Sequence, residues 1–121
     1  MGVKMILYNT ELNILEVLWE FGDLSAGQMT KIMEERVGWK RQTTYTIIKQ
    51  CIDKGLVERI EPNYICRAKV TREEIQKNEI SILMENLFDN SPRSFLYAFT
   101  NCGKLSEQNI AELHDMIEKM E

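Results

Sequence analysis

Apolar residues recur at helical intervals along most of the chain, and the period changes once, in the middle. The first helical stretch opens at Asn9 or Thr10 and runs to Phe21, with Leu12, Leu15, Leu18 and Trp19 at the expected spacing. A brief extended link, Asp23–Leu24, leads to Ser25, which forms a capping box with Gln28 three residues on. Ala26, Met29, Ile32 and Met33 give this second helix its inner stripe. A third helix runs from about Arg41 to Lys54. Gly22, Gly38, Gly55 and Gly103 each follow a helical stretch, where a left-handed closing residue is wanted.

After Gly55 the pattern shortens. Leu56–Ile60 and Tyr64–Ala68, joined through Pro62–Asn63, read as a β-hairpin. Thr71 and Glu74 open a long helix to Phe88, which Asp89–Pro92 breaks. A short apolar helix follows over Arg93–Asn101, and Ser106 caps a last one containing Ile110, Leu113, Ile117 and Met120.

This order predicts a mainly α protein. Residues 1–70 form a winged helix-turn-helix domain of three helices plus a hairpin wing, and residues 71–121 a three-helix dimerisation domain. A lone hairpin is marginal in water, so the wing has to pack on the helices. In the tail, Phe95, Leu96, Tyr97 and Phe99 are nearly consecutive, too many for one helix face to hide within one subunit. A second copy is the economical cover, with Leu83, Leu87, Phe88, Phe95, Leu96, Phe99, Leu113 and Ile117 as the expected interface.

Composition narrows the function. The 121 residues are 44% apolar and 28% charged, as in a soluble globular chain, and no apolar run approaches the roughly 20 residues that span a bilayer. The segment Met1–Tyr8 carries Lys4 within its apolar patch and has no small-residue cleavage site, which argues against a signal peptide. Cys51, Cys66 and Cys102, odd in number and widely spaced, suit free thiols in a reducing cytoplasm. With His114 as the one histidine, no ligand spacing for a metal exists, and no cofactor motif or nucleophile motif is present, so an enzyme is not expected.

The formal charge of −4 is unevenly spread: residues 1–70 carry a net +1 and residues 71–121 a net −5. Arg36–Ile52 holds Arg36, Lys40, Arg41 and Lys49 and no acid, and Pro62–Arg72 holds Arg67, Lys69 and Arg72. Local sign governs a polyanion partner, because screening removes distant repulsion beyond about 8 Å at physiological salt. On the third helix Thr44, Ile47, Ile48 and Cys51 share the inner face, while Gln42, Thr46 and Lys49 lie opposite, Tyr45 at the edge, and Lys40, Arg41 and Thr43 near the N-terminus. Gln suits adenine, Thr suits thymine or phosphate, and Arg and Lys suit phosphate or guanine. With Tyr64 and Arg67 from the wing, these residues make a candidate surface for double-stranded DNA.

The chain resembles the BlaI/MecI penicillinase-repressor family over nearly its whole length. The resemblance rests on Glu11-Leu12 through Val17-Leu18-Trp19, Leu24-Ser25-Ala26, Gly38-Trp39, Thr43-Thr44-Tyr45-Thr46-Ile47-Ile48, Lys54-Gly55-Leu56-Val57, Val70-Thr71-Arg72-Glu73-Glu74 and Leu105-Ser106-Glu107. It implies a homodimeric repressor on a pseudo-palindromic operator of the TACA/TGTA type, controlling antibiotic-resistance or related genes. A membrane sensor-protease would relieve repression by cleavage in the tail, here at Ala98–Phe99. Three departures stand out: Lys40-Arg41-Gln42 opens the recognition helix, Pro62-Asn63 replaces a Gly-Arg wing tip, and Ala98 stands where the best-known members have Asn.

Two other readings fit the residues. The winged helix could dock a partner protein, or DNA binding could be switched by a small ligand near Phe95, Tyr97 and Phe99. Trp19 is expected in the core, and Trp39 either packs or meets a phosphate. Cys51 is expected buried, and Cys66, in the wing, and Cys102, in a loop, more exposed.

Overall fold

The computed structural model describes residues 5–120, so the reading around Lys4 lies partly outside the described residues. The elements follow in the order α1 (Asn9–Phe21), β1 (Leu24–Ser25), α2 (Ala26–Val37), α3 (Arg41–Asp53), β2 (Val57–Ile60), β3 (Ile65–Ala68), α4 (Arg72–Leu87), α5 (Pro92–Thr100) and α6 (Glu107–Glu118). This is a mainly helical fold with a small antiparallel sheet, the winged helix-turn-helix arrangement followed by a helical tail. The chain divides into two compact units, one ending at Asn78 and the other beginning at Glu79.

The local chemistry explains the helix limits. Ser25 Oγ accepts from the Gln28 amide at 3.1 Å and the Gln28 side chain accepts from the Ser25 amide at 2.9 Å, closing the capping box of α2. Thr71 and Glu74 make the same reciprocal pair at the head of α4. Gly38 ends α2 at φ 72°, a backbone state that a Cβ would strain. Pro92 occupies the first turn of α5, where its missing N–H costs nothing, so that helix begins one residue before the sequence pattern places it.

The first unit has one core. Ile14, Leu15, Val17 and Leu18 of α1, Ala26, Met29 and Met33 of α2, and Ile47, Ile48 and Cys51 of α3 meet there, with Leu56, Val57, Cys66 and Ile75. Leu12 and Trp19 are only half-buried, so the inner stripe of α1 is centred nearer Ile14 and Val17 than the sequence suggests. Trp19 lies against the core and its indole N–H donates to the Val70 carbonyl at 2.9 Å.

The sheet has the order β1-β3-β2. Leu24, expected in an extended link, and Ser25, expected as the cap of α2, form a strand whose register is Leu24↔Cys66 and Ser25↔Ile65. On its other edge β3 pairs with β2, Arg59↔Cys66 and Glu58↔Arg67 among the partners. The wing is therefore tied to the start of α2. That register turns Cys66 into the core, where it is fully buried, contrary to the exposure expected of a wing residue.

The second unit is built differently. Among its described residues none is buried. Phe95 packs edge-on against Phe88 at 5.5 Å and stacks on Phe99 at 5.8 Å between ring centroids. Leu87, Tyr97, Met116, Ile117 and Met120 remain at least half exposed.

Candidate nucleic-acid interface

Helix α3 separates its side chains by the helical period. Thr44, Ile47, Ile48 and Cys51 are buried, whereas Arg41, Gln42, Thr43, Thr46, Lys49 and Gln50 are exposed and Tyr45 is half-buried. Lys40, at the N-cap, is exposed too. Lys40, Gln42, Thr43, Thr46, Ile47 and Gln50 line an open groove along this face. Thr46 Oγ1 donates to the Gln42 carbonyl at 3.0 Å, which leaves its methyl and oxygen lone pair outward. Gln50 belongs to this face, and the sequence reading passed over it. The helical period that selected Thr46 and Lys49 places Gln50 one turn beyond Thr46.

The cations of α3 and those of the wing have different partners. Among the described residues no carboxylate pairs with Lys40, Arg41 or Lys49. In the wing Arg67 reaches Asp23 Oδ2 through two nitrogens, at 2.9 and 2.7 Å, and this hydrogen-bonded carboxylate raises its pKa further. Arg59 pairs with Glu61. Among the described residues the helix thus presents cations without carboxylate partners, while Arg59 and Arg67 of the wing are already matched.

Aromatic contacts join the two. The Arg41 guanidinium lies over the Tyr45 ring, 5.3 Å from its centroid, and donates to the Tyr45 hydroxyl at 3.3 Å. Tyr45 meets Tyr64 edge to face at 5.8 Å. The Arg59 guanidinium covers the Tyr64 ring at 3.6 Å. Tyr64 is therefore half-buried between two neighbours, and burial pushes its phenol pKa up, against the lowering influence of Arg59. Arg59 was missed in the sequence because it sits between two acids, Glu58 and Glu61. The hairpin turn, with Asn63 and Tyr64 both at positive φ, brings it over Tyr64.

Trp39 is half-buried against the core rather than a free stacking surface. Cys51 and Cys66 are inert thiols: burial pushes them up to about 12 and about 11 respectively. Among the described residues no group of three His, Cys, Asp or Glu side chains could hold a metal, and no helix is long and apolar enough to cross a membrane.

A sequence model of the penicillinase repressor family matches residues 7–119, which takes in the winged helix and the helical tail alike. The chain belongs to the penicillinase repressor family. No curated protein matches it. Members of this family are DNA-binding transcriptional repressors rather than enzymes.

In the second unit, Leu83, Leu87, Leu96, Phe99 and Ile117 are exposed, and Phe88, Phe95 and Leu113 half-buried. Ala98 and Phe99 both lie exposed within α5.

Proposed function

We propose that two copies of this repressor hold one pseudo-palindromic operator, each placing α3 in a major groove, about one helical turn apart. The observation that carries this reading is the α3 face itself: Arg41, Gln42, Thr43, Thr46 and Lys49 exposed together, its cations without carboxylate partners among the described residues. Gln42 and Thr46 are suited to base edges, Lys40, Arg41 and Lys49 to phosphates. The tail supplies the second copy. A unit with no buried residue among those described, and with Phe99, Ile117 and Leu96 outward, gains its core from a partner, and joining two weak readers makes the second contact effectively intramolecular.

The regulated genes in this reading are antibiotic-resistance determinants, and release comes by cleavage of Ala98–Phe99 by a membrane sensor-protease. Because that bond lies within a helix, α5 has to open locally before an extended protease cleft accepts it. The deciding experiment is a shift assay of the full chain on a TACA/TGTA duplex and a scrambled duplex at two salt concentrations. Operator preference with a steep salt dependence supports the reading. Equal, weak binding to both duplexes, or none, refutes it and favours a protein partner.

A further inference from the structure

Four side chains form a continuous row from the recognition helix to the wing: Arg41 on Tyr45, Tyr45 against Tyr64, and Tyr64 under Arg59. A cation stands at each end of a tyrosine pair. We propose that Tyr45 and Tyr64 are a positioning pair that locks the wing to α3 and sets Arg59 as a second phosphodiester contact beside Arg41. This inference rests on the DNA-binding reading and adds to it a residue outside the recognition helix.

The geometry favours this role over simple packing. An apolar pair would fill the same space, yet these rings each carry a guanidinium on one side. A stacked guanidinium keeps its plane fixed, so its N–H edge stays oriented for an anion with little further loss of side-chain freedom. Tyr64 sits at φ 50°, an uncommon state for a residue with a Cβ, with its ring against Tyr45 and Arg59 and its carbonyl accepting from the Ala26 amide. Beyond the wing's own strands, its attachments include the Ala26 amide on the Tyr64 carbonyl, at 2.9 Å, the short β1 pairing, the Arg67–Asp23 pair and the burial of Val57 and Cys66 in the core. At the base of the hairpin the Leu56 amide donates to the Cys51 carbonyl at 2.9 Å, and the tyrosine contact adds a second link to α3 from the turn end of the wing. Glu61 is the charged group facing Arg59. Both partners are exposed, so the pair is weak and a DNA phosphate can replace the carboxylate.

The test uses the full chain and duplex operator across about 50 to 200 mM salt. Arg59→Ala is expected to weaken binding about tenfold, as loss of a charge-assisted hydrogen bond does, and to reduce the logarithmic salt slope by about 1. Tyr64→Ala should reproduce the loss of slope, Tyr64→Phe should bind as wild type, and Arg59→Ala with Tyr64→Ala together should be no weaker than the stronger single loss. Arg59→Lys should keep the slope and lose part of the affinity. A wild-type slope in Arg59→Ala overturns the proposal, as does strict additivity of the two alanine losses. Thermal unfolding of each variant separates misfolding from a lost contact, and Arg59→Ala, at an exposed site, carries the test if Tyr64→Ala is unstable. Wild type that fails on every duplex refutes the DNA-binding reading itself, and this inference with it.

Discussion

Glu11 is wholly buried, and its Oε1 meets the Lys54 ammonium at 2.7 Å. Lys54 also donates to the Ile6 carbonyl at 2.9 Å and lies over the Tyr8 ring, while the Tyr8 amide donates to Glu11 at 3.0 Å. The ion pair thus joins α1 to the C-terminal end of α3, and the Lys54 bond to Ile6 fastens the segment before α1 to the same point.

Breaking that pair should be costly. Lys54→Met leaves a buried carboxylate without its cation, and we expect a loss of about 2–3 kcal/mol in urea unfolding. This is somewhat less than the ~3–5 kcal/mol of fully enclosed pairs, because the Lys54 side chain is 28% exposed. Adding Glu11→Leu should recover part of the loss. A double variant weaker by the sum of both singles would show that the pair does not act as a unit.

The buried thiols set an alkaline limit. Cys51 is raised to about 12 and Cys66 to about 11, whereas in the unfolded chain both sit near the ordinary value of 9.0. Their contribution is complete below about 9 and declines as pH climbs toward 11–12, since the unfolded state releases its protons first. The denaturation midpoint should fall with pH over that window and fall less in Cys66→Ala. A native chain treated with an alkylating reagent near neutrality should label at Cys102 alone, and labelling of Cys51 in the folded state would contradict its burial.

Asp23→Asn should tighten binding to random-sequence duplex by up to about fivefold, the range of an exposed pair, because it releases Arg67. Operator affinity should rise no more than that, so discrimination narrows. Unchanged affinity on both duplexes would mean that Arg67 stays away from DNA.

Ile117 is 50% exposed in the single chain, so Ile117→Asp should cost the isolated subunit little. If a second copy covers it, the same change buries an unpaired carboxylate. Sedimentation equilibrium should then show self-association weaker by at least about 30-fold. A wild-type chain that sediments as a monomer at micromolar concentration would remove the basis of the paired reading.

Most helices were legible because their ends are written in local chemistry: Ser25 with Gln28, Thr71 with Glu74, and glycines where the backbone turns left-handed. The strand Leu24–Ser25 was not, since two residues carry no period and their pairing is with Cys66 and Ile65, some forty positions away. The same distance hid Cys66, whose inward direction follows from register and not from its neighbours. On α3 the outward face was readable from spacing alone. Its link to Arg59 was not, because it depends on a turn that folds Tyr64 back beneath a residue five positions earlier. The first compact unit extends to Asn78, since Ile75 joins the first core and Asn78 bonds the Met5 backbone through both its side-chain atoms.

A tail that shields none of its residues between 79 and 120 makes order in that region depend on abundance. In the proposed dimer, scarce copies would separate and expose their apolar helices to solvent and to housekeeping proteolysis. Repression would then fall more steeply than protein level, and a modest drop in synthesis would become a sharp switch for the genes downstream.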